Sequence, residues 1–311
     1  MNFADPDDLT ILYRGPLASC NYGCGYCPFA KHAETDAERV ADTAALARFL
    51  DWCDRYPGRL SVFFTPWGEA LHHARYRAAL VRLSTARHVR RVAVQTNLAG
   101  SVEWLSEADP SRVGIWATYH PTEVALDRFV RNVMRVHELG VSVSAGTVGV
   151  RSRSERIEEL RAALPPQIPV WVNAYSVDAG PVRPSYYAAE DIARLRAVDP
   201  YFEVGLVRFA SRGRACGAGS RAITVDGDGT VGRCHFTPVR LGNLYTDELA
   251  DLLTTRPCPK PVCDCHIGYV HLDELAAAEV YGDGLLERVP APWADPQEYL
   301  ARARSLAFSR G

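Results

Sequence analysis

The 311-residue sequence contains no apolar run long enough to cross a bilayer. Its opening segment, Met-Asn-Phe-Ala-Asp-Pro-Asp-Asp, is acidic, where a secretory leader would be basic and then apolar. A cytoplasmic protein with no membrane partner is the expectation. Lysine is scarce. Arginine supplies nearly all the positive charge, scattered along helical stretches among Asp and Glu, and the formal net charge is only −2. This excludes the basic footprint of a nucleic-acid binder. Internal repeats and low-complexity segments are also missing, so repeat architectures are excluded. What the sequence does have is 47% hydrophobic residues, enough for a large core, and nine cysteines. In a reducing compartment nine thiols point to metal chemistry more than to disulfides.

From about 9 to 174, short β-branched apolar runs alternate with longer helical patterns. Strands are expected at Leu9–Tyr13, Leu60–Phe64, Val92–Thr96, Val113–Ala117, Val141–Val148 and Val170–Ala174. Helices are expected near 42–56, 72–87, 122–139 and 153–163, with a shorter one near 101–107. Near-continuous apolar strands separated by helices indicate a parallel sheet with helical cover, as an open doubly wound sheet or a partial barrel. In both, active groups belong at the carboxyl ends of the strands. The polar strand-end residues Thr118, Tyr119, His120, Ser144, Thr147, Asn173 and Tyr175 are therefore expected to line the cavity. After about residue 200 the texture turns glycine-rich and cysteine-bearing. Ala222–Val225, the turn Asp226-Gly227-Asp228-Gly229 and Thr230–Cys234 read as a β-hairpin. The Asp-x-Asp-Gly run lacks the downstream glutamate of a calcium loop. Helical patterns near 272–281 and 296–308 close the chain.

The run Cys20-Asn21-Tyr22-Gly23-Cys24-Gly25-Tyr26-Cys27 follows the first strand. Three thiolates are one ligand short of the four that a closed zinc or iron–sulfur site uses, which leaves one metal corner open. The plain alternatives are a structural zinc knuckle, or a zinc site completed by His32. The x3 and x2 spacing, with an aromatic residue before the third cysteine, resembles the signature of the radical SAM superfamily. In that family three cysteines hold a [4Fe–4S] cluster whose fourth iron is chelated by S-adenosylmethionine. Reduction of the cluster cleaves the cofactor to a 5′-deoxyadenosyl radical. The resemblance implies a partial (β/α)6 barrel over residues 1–204. Thr65-Pro66-Trp67-Gly68-Glu69, after the second strand, resembles the family's Gly-Gly-Glu motif, with Trp67 in place of the first glycine. Gly68 and Glu69 would hold the methionyl ammonium. Thr96 and Asn97, after the third strand, and Tyr26, beside the adenine, complete the implied cofactor contacts.

Five further cysteines, Cys216, Cys234, Cys258, Cys263 and Cys265, fall within fifty residues of one another. The run Cys216-x12-Gly229-x4-Cys234, with Leu241-Gly242-Asn243-Leu244 and a helix at Thr246–Leu253 behind it, resembles the opening of the SPASM and twitch extensions. The resemblance implies a β-hairpin plus helix metal-binding extension over 205–311, with an auxiliary [4Fe–4S] cluster. Cys258-x4-Cys263-x1-Cys265 departs from the usual pair, and a four-cysteine zinc site is the alternative. Cys53, in a helical pattern, is expected to be a buried structural thiol. The expected activity is hydrogen abstraction from a small metabolite or a peptide side chain, with oxidation through the auxiliary cluster. An electron donor such as flavodoxin or ferredoxin is the implied partner. A non-catalytic protein with two structural zinc sites is the competing reading.

Overall fold

The computed structural model describes residues 8–25, 27, 29, 32–175 and 184–308. Six apolar runs form parallel strands: β1 (Asp8–Tyr13), β2 (Arg59–Phe64), β3 (Val89–Thr96), β4 (Val113–Thr118), β5 (Ser142–Gly149) and β6 (Val170–Ala174). Between them run α1 (Asp36–Arg55), α2 (Ala74–Thr85), α3 (Leu126–Glu138) and α4 (Ser154–Ala163), with a 3-10 turn at Glu103–Glu107. The start of α1 is set by a capping box. The Thr35 hydroxyl accepts from the Glu38 N–H, and Glu38 accepts in return from the Thr35 N–H. Before residue 204, a helix that was not foreseen is also present. After β6 comes α5 (Ala189–Val198), which is polar over most of its length and shows only two buried residues, Leu195 and Val198.

The extension contributes β7 (Phe209–Ala210), β8 (Ala222–Val225), β9 (Thr230–Gly232), β10 (Arg240–Asn243) and β11 (Val262–Cys263), with short helices α6 (Leu249–Leu252), α7 (His266–Tyr269) and α8 (Ala277–Tyr281) and a longer α9 (Pro296–Ser305). The hairpin is present: β8 and β9 pair antiparallel around Gly229, whose φ is +88°. The strand order is β10-β9-β8-β1-β2-β3-β4-β5-β6, so the sheet itself runs across residue 204. β1 pairs in parallel with β2 on one side and with β8 on the other. Among the described residues β1 and β6 do not pair, and the barrel stays partial.

Alternation along the strands divides the side chains between two faces. The outer face carries Ile11, Tyr13, Val62, Phe64, Val92, Val94 and Ile115, packed under Leu46, Phe49, Cys53, Leu80, Leu83, Phe129 and Val133 of the helices. Cys53 lies fully buried there, as expected of a structural thiol. The inner face has an apolar band of Leu12, Phe63, Ala93, Trp116 and Trp171, covered by Ile267 and Leu286 from the extension. Gly146 makes room for Trp171: a Cβ on it would overlap the indole.

The segment around Glu287 and Arg288 plugs the amino-terminal end of the inner face. Glu287 is fully buried, pairs with Arg91 and accepts from the Ser142 hydroxyl at 2.8 Å. Its backbone carbonyl accepts from Ser144. Arg288 donates to Asn173 Oδ1 at 2.7 Å and lies over the Trp116 and Trp171 rings, 5.2 and 4.9 Å from their centroids. This corrects one expectation. Ser144 belongs to the plug and Asn173 is taken by Arg288, so neither lines an open cavity. Thr147 is also buried, its hydroxyl donating to the Tyr119 carbonyl at 2.9 Å.

A buried charge whose partner is removed stays buried and uncompensated. Glu287→Ala is therefore expected to cost about 3–5 kcal/mol, read as a fall in the urea midpoint. The double variant Arg91→Met/Glu287→Met should recover much of that loss. Additive losses in the double variant would show that the pair is not coupled.

Candidate active site

The loop that carries Cys20, Cys24 and Cys27 leaves the carboxyl end of β1 and is fastened from three sides. From the β2 side, the Gly68 N–H donates to the Leu17 carbonyl at 3.1 Å and the Glu69 N–H to the Ser19 carbonyl at 2.9 Å. A Cβ on Gly68 would overlap that Ser19 carbonyl, so glycine is required for the two loops to meet. From the β3 side, Asn97 Nδ2 donates to Asn21 Oδ1 at 2.9 Å. From the β4 side, the Gly23 N–H donates to Glu123 Oε2 at 3.1 Å, and His120 Nδ1 stands 3.3 Å from Cys24 Sγ. The Tyr22 ring meets His120 edge-on. Motif reading missed Glu123 and left His120 as a generic cavity residue.

Desolvation raises the Cys20 thiol above its ordinary value and takes Cys24 up to about 11. The Glu123 carboxylate and the charges of Cys27 and Cys20 push Cys24 the same way. These thiols hold their protons near neutral pH, and a metal binding here must displace them. Among the described residues no group of three or more His, Cys, Asp or Glu is gathered closely enough to hold a metal ion. His32 Nε2 faces Glu38 Oε1 at 3.0 Å, at the start of α1. Tyr26 lies outside the described residues.

Glu69 is 6% exposed and ties the loop after β2 to the end of β3. Oε1 accepts from the Thr96 hydroxyl at 2.6 Å and from the Leu71 N–H at 3.0 Å, while Oε2 accepts from the Asn97 N–H at 2.6 Å. Desolvation raises its pKa, and those three bonds pull it back down. A carboxylate accepts about four hydrogen bonds, so one acceptor direction is left for a ligand. Thr96 and Asn97 stand at the end of β3, where they orient Glu69.

At the same level of the inner face stand Arg14, at the end of β1, and the pair Thr65–Gln95, whose side chains bond at 3.1 Å. Arg14 lies over the Trp67 ring at 4.2 Å, and its Nε donates to His235 Nδ1 at 3.3 Å. Burial lowers its pKa to about 10, opposed by Asp226 and Cys265. Motif reading passed over Arg14. The signal available was its parity with Leu12, two residues earlier on the same strand face. A cavity of about 1000 Å³ opens on Cys20 from outside the sheet, between α1 and the start of α2.

The second cysteine set gathers in the extension. Burial raises Cys216, Cys234, Cys263 and Cys265, the last to about 11. Cys234 is central: it feels the charges of Cys216 and Cys258, and Cys263 and Cys265 both feel its own. Cys263 sits in β11 and Cys265 at the N-cap of α7. A Cβ on Gly268 would crowd Cys263 Sγ at 3.0 Å, which keeps this pocket narrow. No disulfide joins any two of the nine cysteines.

No protein-family model matches the chain, and no curated protein matches it. Solved structures do. Histidine-tagged anSMEcpe with bound AdoMet aligns with a TM-score of 0.53 at 14% identity, over 96% of this chain and 94% of that one. Native anSMEcpe with bound AdoMet and the Kp18Cys peptide aligns with the same TM-score of 0.53 over 80% of this chain and 81% of that one, at 14% identity. The form with the Cp18Cys peptide gives 0.50 at 16% identity, over 79% of this chain and 80% of that one. The likeness establishes the fold: the chain adopts the same partial α/β barrel as these structures.

Gly68→Ala tests the loop clamp. Inserting a methyl against backbone is expected to cost about 1–3 kcal/mol by chemical denaturation and to make the cysteine loop more sensitive to protease. Unchanged stability and proteolysis would show that the clamp does not hold the loop.

Proposed function

We propose that this chain is a radical SAM enzyme with an auxiliary iron–sulfur cluster in its extension. The observation that carries the reading is the joining of the three-cysteine loop to Gly68–Glu69 by two backbone hydrogen bonds, with one acceptor direction of the buried Glu69 left open, in the fold that binds AdoMet in anSMEcpe. The donor set suits an iron–sulfur cluster in kind, since thiolates are the usual ligands and three of them leave one iron for another group. Cys20, Cys24 and Cys27 would hold the first cluster. Cys216 and Cys234, with two of Cys258, Cys263 and Cys265, would hold the second. When bound and reduced, the first cluster supplies the electron that splits AdoMet into methionine and a 5′-deoxyadenosyl radical, which takes a hydrogen atom from the substrate.

The rest is done by the protein's own groups. Glu69 receives the methionyl ammonium as a charge-assisted hydrogen bond. Thr96 and the Asn97 N–H keep that carboxylate from turning away. The Trp116 and Trp171 band and the Glu287–Arg288 plug close the far end of the barrel to water, which protects a reactive intermediate from side reactions. The substrate is a small metabolite or a peptide side chain. The cysteines of the extension would hold an auxiliary cluster able to serve as an outlet for the electron left on the substrate, and a cytoplasmic flavodoxin or ferredoxin would be the electron donor.

Anaerobic reconstitution tests the reading. About eight irons and eight sulfides per chain are expected for two [4Fe–4S] clusters, with dithionite-driven cleavage of AdoMet. Replacing Cys20, Cys24 and Cys27 by Ala should remove about half of the iron and abolish cleavage. Replacing Cys216 and Cys234 should remove the other half. A colourless protein holding two zincs would overturn the proposal in favour of structural zinc sites. Glu69→Gln is expected to weaken AdoMet binding by roughly 10- to 100-fold, the worth of one hydrogen bond to a charged group. Equal affinity would remove Glu69 from the cofactor site.

A further inference from the structure

Arg14 carries a buried charge that the protein leaves unpaired. The residue is 7% exposed, yet among the described residues its only polar contact is Nε to His235 Nδ1, and no carboxylate forms an ion pair with it. Its flat face is occupied by Trp67. Both terminal nitrogens are without a partner among the described residues, and neither is among the fully enclosed orphan atoms, so they open onto accessible space. An unpaired buried guanidinium is costly, and such groups are normally met by an anion.

The surroundings resemble a binding site more than a structural defect. The Arg14 backbone is held on both sides: its N–H donates to the Val225 carbonyl of β8 at 2.9 Å, and the Tyr13 carbonyl accepts from the Thr65 N–H at 3.0 Å. The guanidinium thus sits at the carboxyl end of the one strand shared by barrel and extension. Trp67, the residue before Gly68–Glu69, lies on one side, and His235, the residue after Cys234, on the other. Trp67 is 46% exposed and Phe29 meets it edge-on at 4.9 Å, which leaves an open aromatic surface beside the charge. Glu69, by contrast, is directed towards the ends of β3 by Thr96 and Asn97. An anion on Arg14 therefore lies on the extension side of the site.

We propose that Arg14 is the substrate-binding residue of this site, and that the substrate carries a carboxylate held in the guanidinium fork with its body against Trp67. The proposal rests on the enzyme reading above and narrows its substrate to acids. A planar fork with two free N–H edges takes a carboxylate in bidentate fashion, and lysine cannot reproduce this. The same chemistry is offered by the carboxylate of AdoMet, and the experiment separates the two sources.

Acetate is the probe, titrated into the reconstituted protein at constant ionic strength and followed by tryptophan fluorescence, since Trp67 touches the guanidinium. Acetamide serves as the uncharged control. A saturable response to acetate and none to acetamide is expected, lost in Arg14→Gln and weakened in Arg14→Lys. The response should persist when AdoMet is saturating. Its disappearance under saturating AdoMet would assign Arg14 to the cofactor's carboxylate and overturn the substrate assignment. Absence of a saturable acetate response in the unmodified protein, or its survival in Arg14→Gln, would overturn the proposal outright. Failure of the enzyme reading is seen separately, as failure of the unmodified protein to cleave AdoMet.

Discussion

The close approach of the loop after β2 to the loop after β1 is the constraint on which the rest of the site depends. Two backbone hydrogen bonds, from Gly68 and Glu69 to Leu17 and Ser19, set the height of the cysteine loop above the sheet. The approach requires a residue without a Cβ at position 68. Once it is made, the Glu69 side chain reaches Thr96 and the Asn97 N–H, and Asn97 in turn reaches Asn21. The ends of β2 and β3 are thereby locked through a single buried carboxylate, and the cysteine loop is tied to them through Asn97. The arrangement is stable because each acceptor of that carboxylate in use has a donor at hydrogen-bond distance, which offsets much of its desolvation.

The two ends of the partial barrel are treated in opposite ways. At the amino-terminal end the inner face is filled, first by an apolar band and then by Glu287 and Arg288, whose charges meet Arg91, Ser142, Asn173 and two indole faces. At the carboxyl end polar groups stand with capacity to spare: one acceptor direction on Glu69 and two terminal nitrogens on Arg14. A protein interior tolerates unsatisfied polar groups only at a cost. At Glu69 and Arg14 the spare capacity belongs to charged groups beside both sets of cysteines, which is where ligands belong. β1 is the physical link between those sets, because it pairs with β2 and with β8.

Much of this was legible in the residues. The six parallel strands fall where apolar β-branched runs stand, because a strand buried on both faces needs such residues along its whole length. The hairpin at 222–232 followed from its glycine turn. Motif resemblance singled out Gly68–Glu69 and the three-cysteine loop, but not the two backbone hydrogen bonds that join them. Helix α5 was not, because its apolar stripe is too thin to show a period. Ser144 and Asn173 were misplaced for a different reason: a strand pattern shows that a side chain faces inward, and says nothing of a segment more than a hundred residues away that covers it. Arg14 was missed because a lone arginine two residues beyond Leu12 has no motif around it.

The sequence by itself determined the chemistry on offer: nine thiols, a glycine–glutamate pair after the second strand, and an alternation of strands and helices that places loops at one edge. These are local properties, written in residue type and spacing. Only the tertiary structure decided which groups are already satisfied and which are not. Glu69 keeps one acceptor direction and Arg14 keeps its fork, while His32, Ser144 and Asn173 are engaged elsewhere. Satisfaction of a polar group depends on what stands within about 3 Å of it, and that is set by partners distant in the chain.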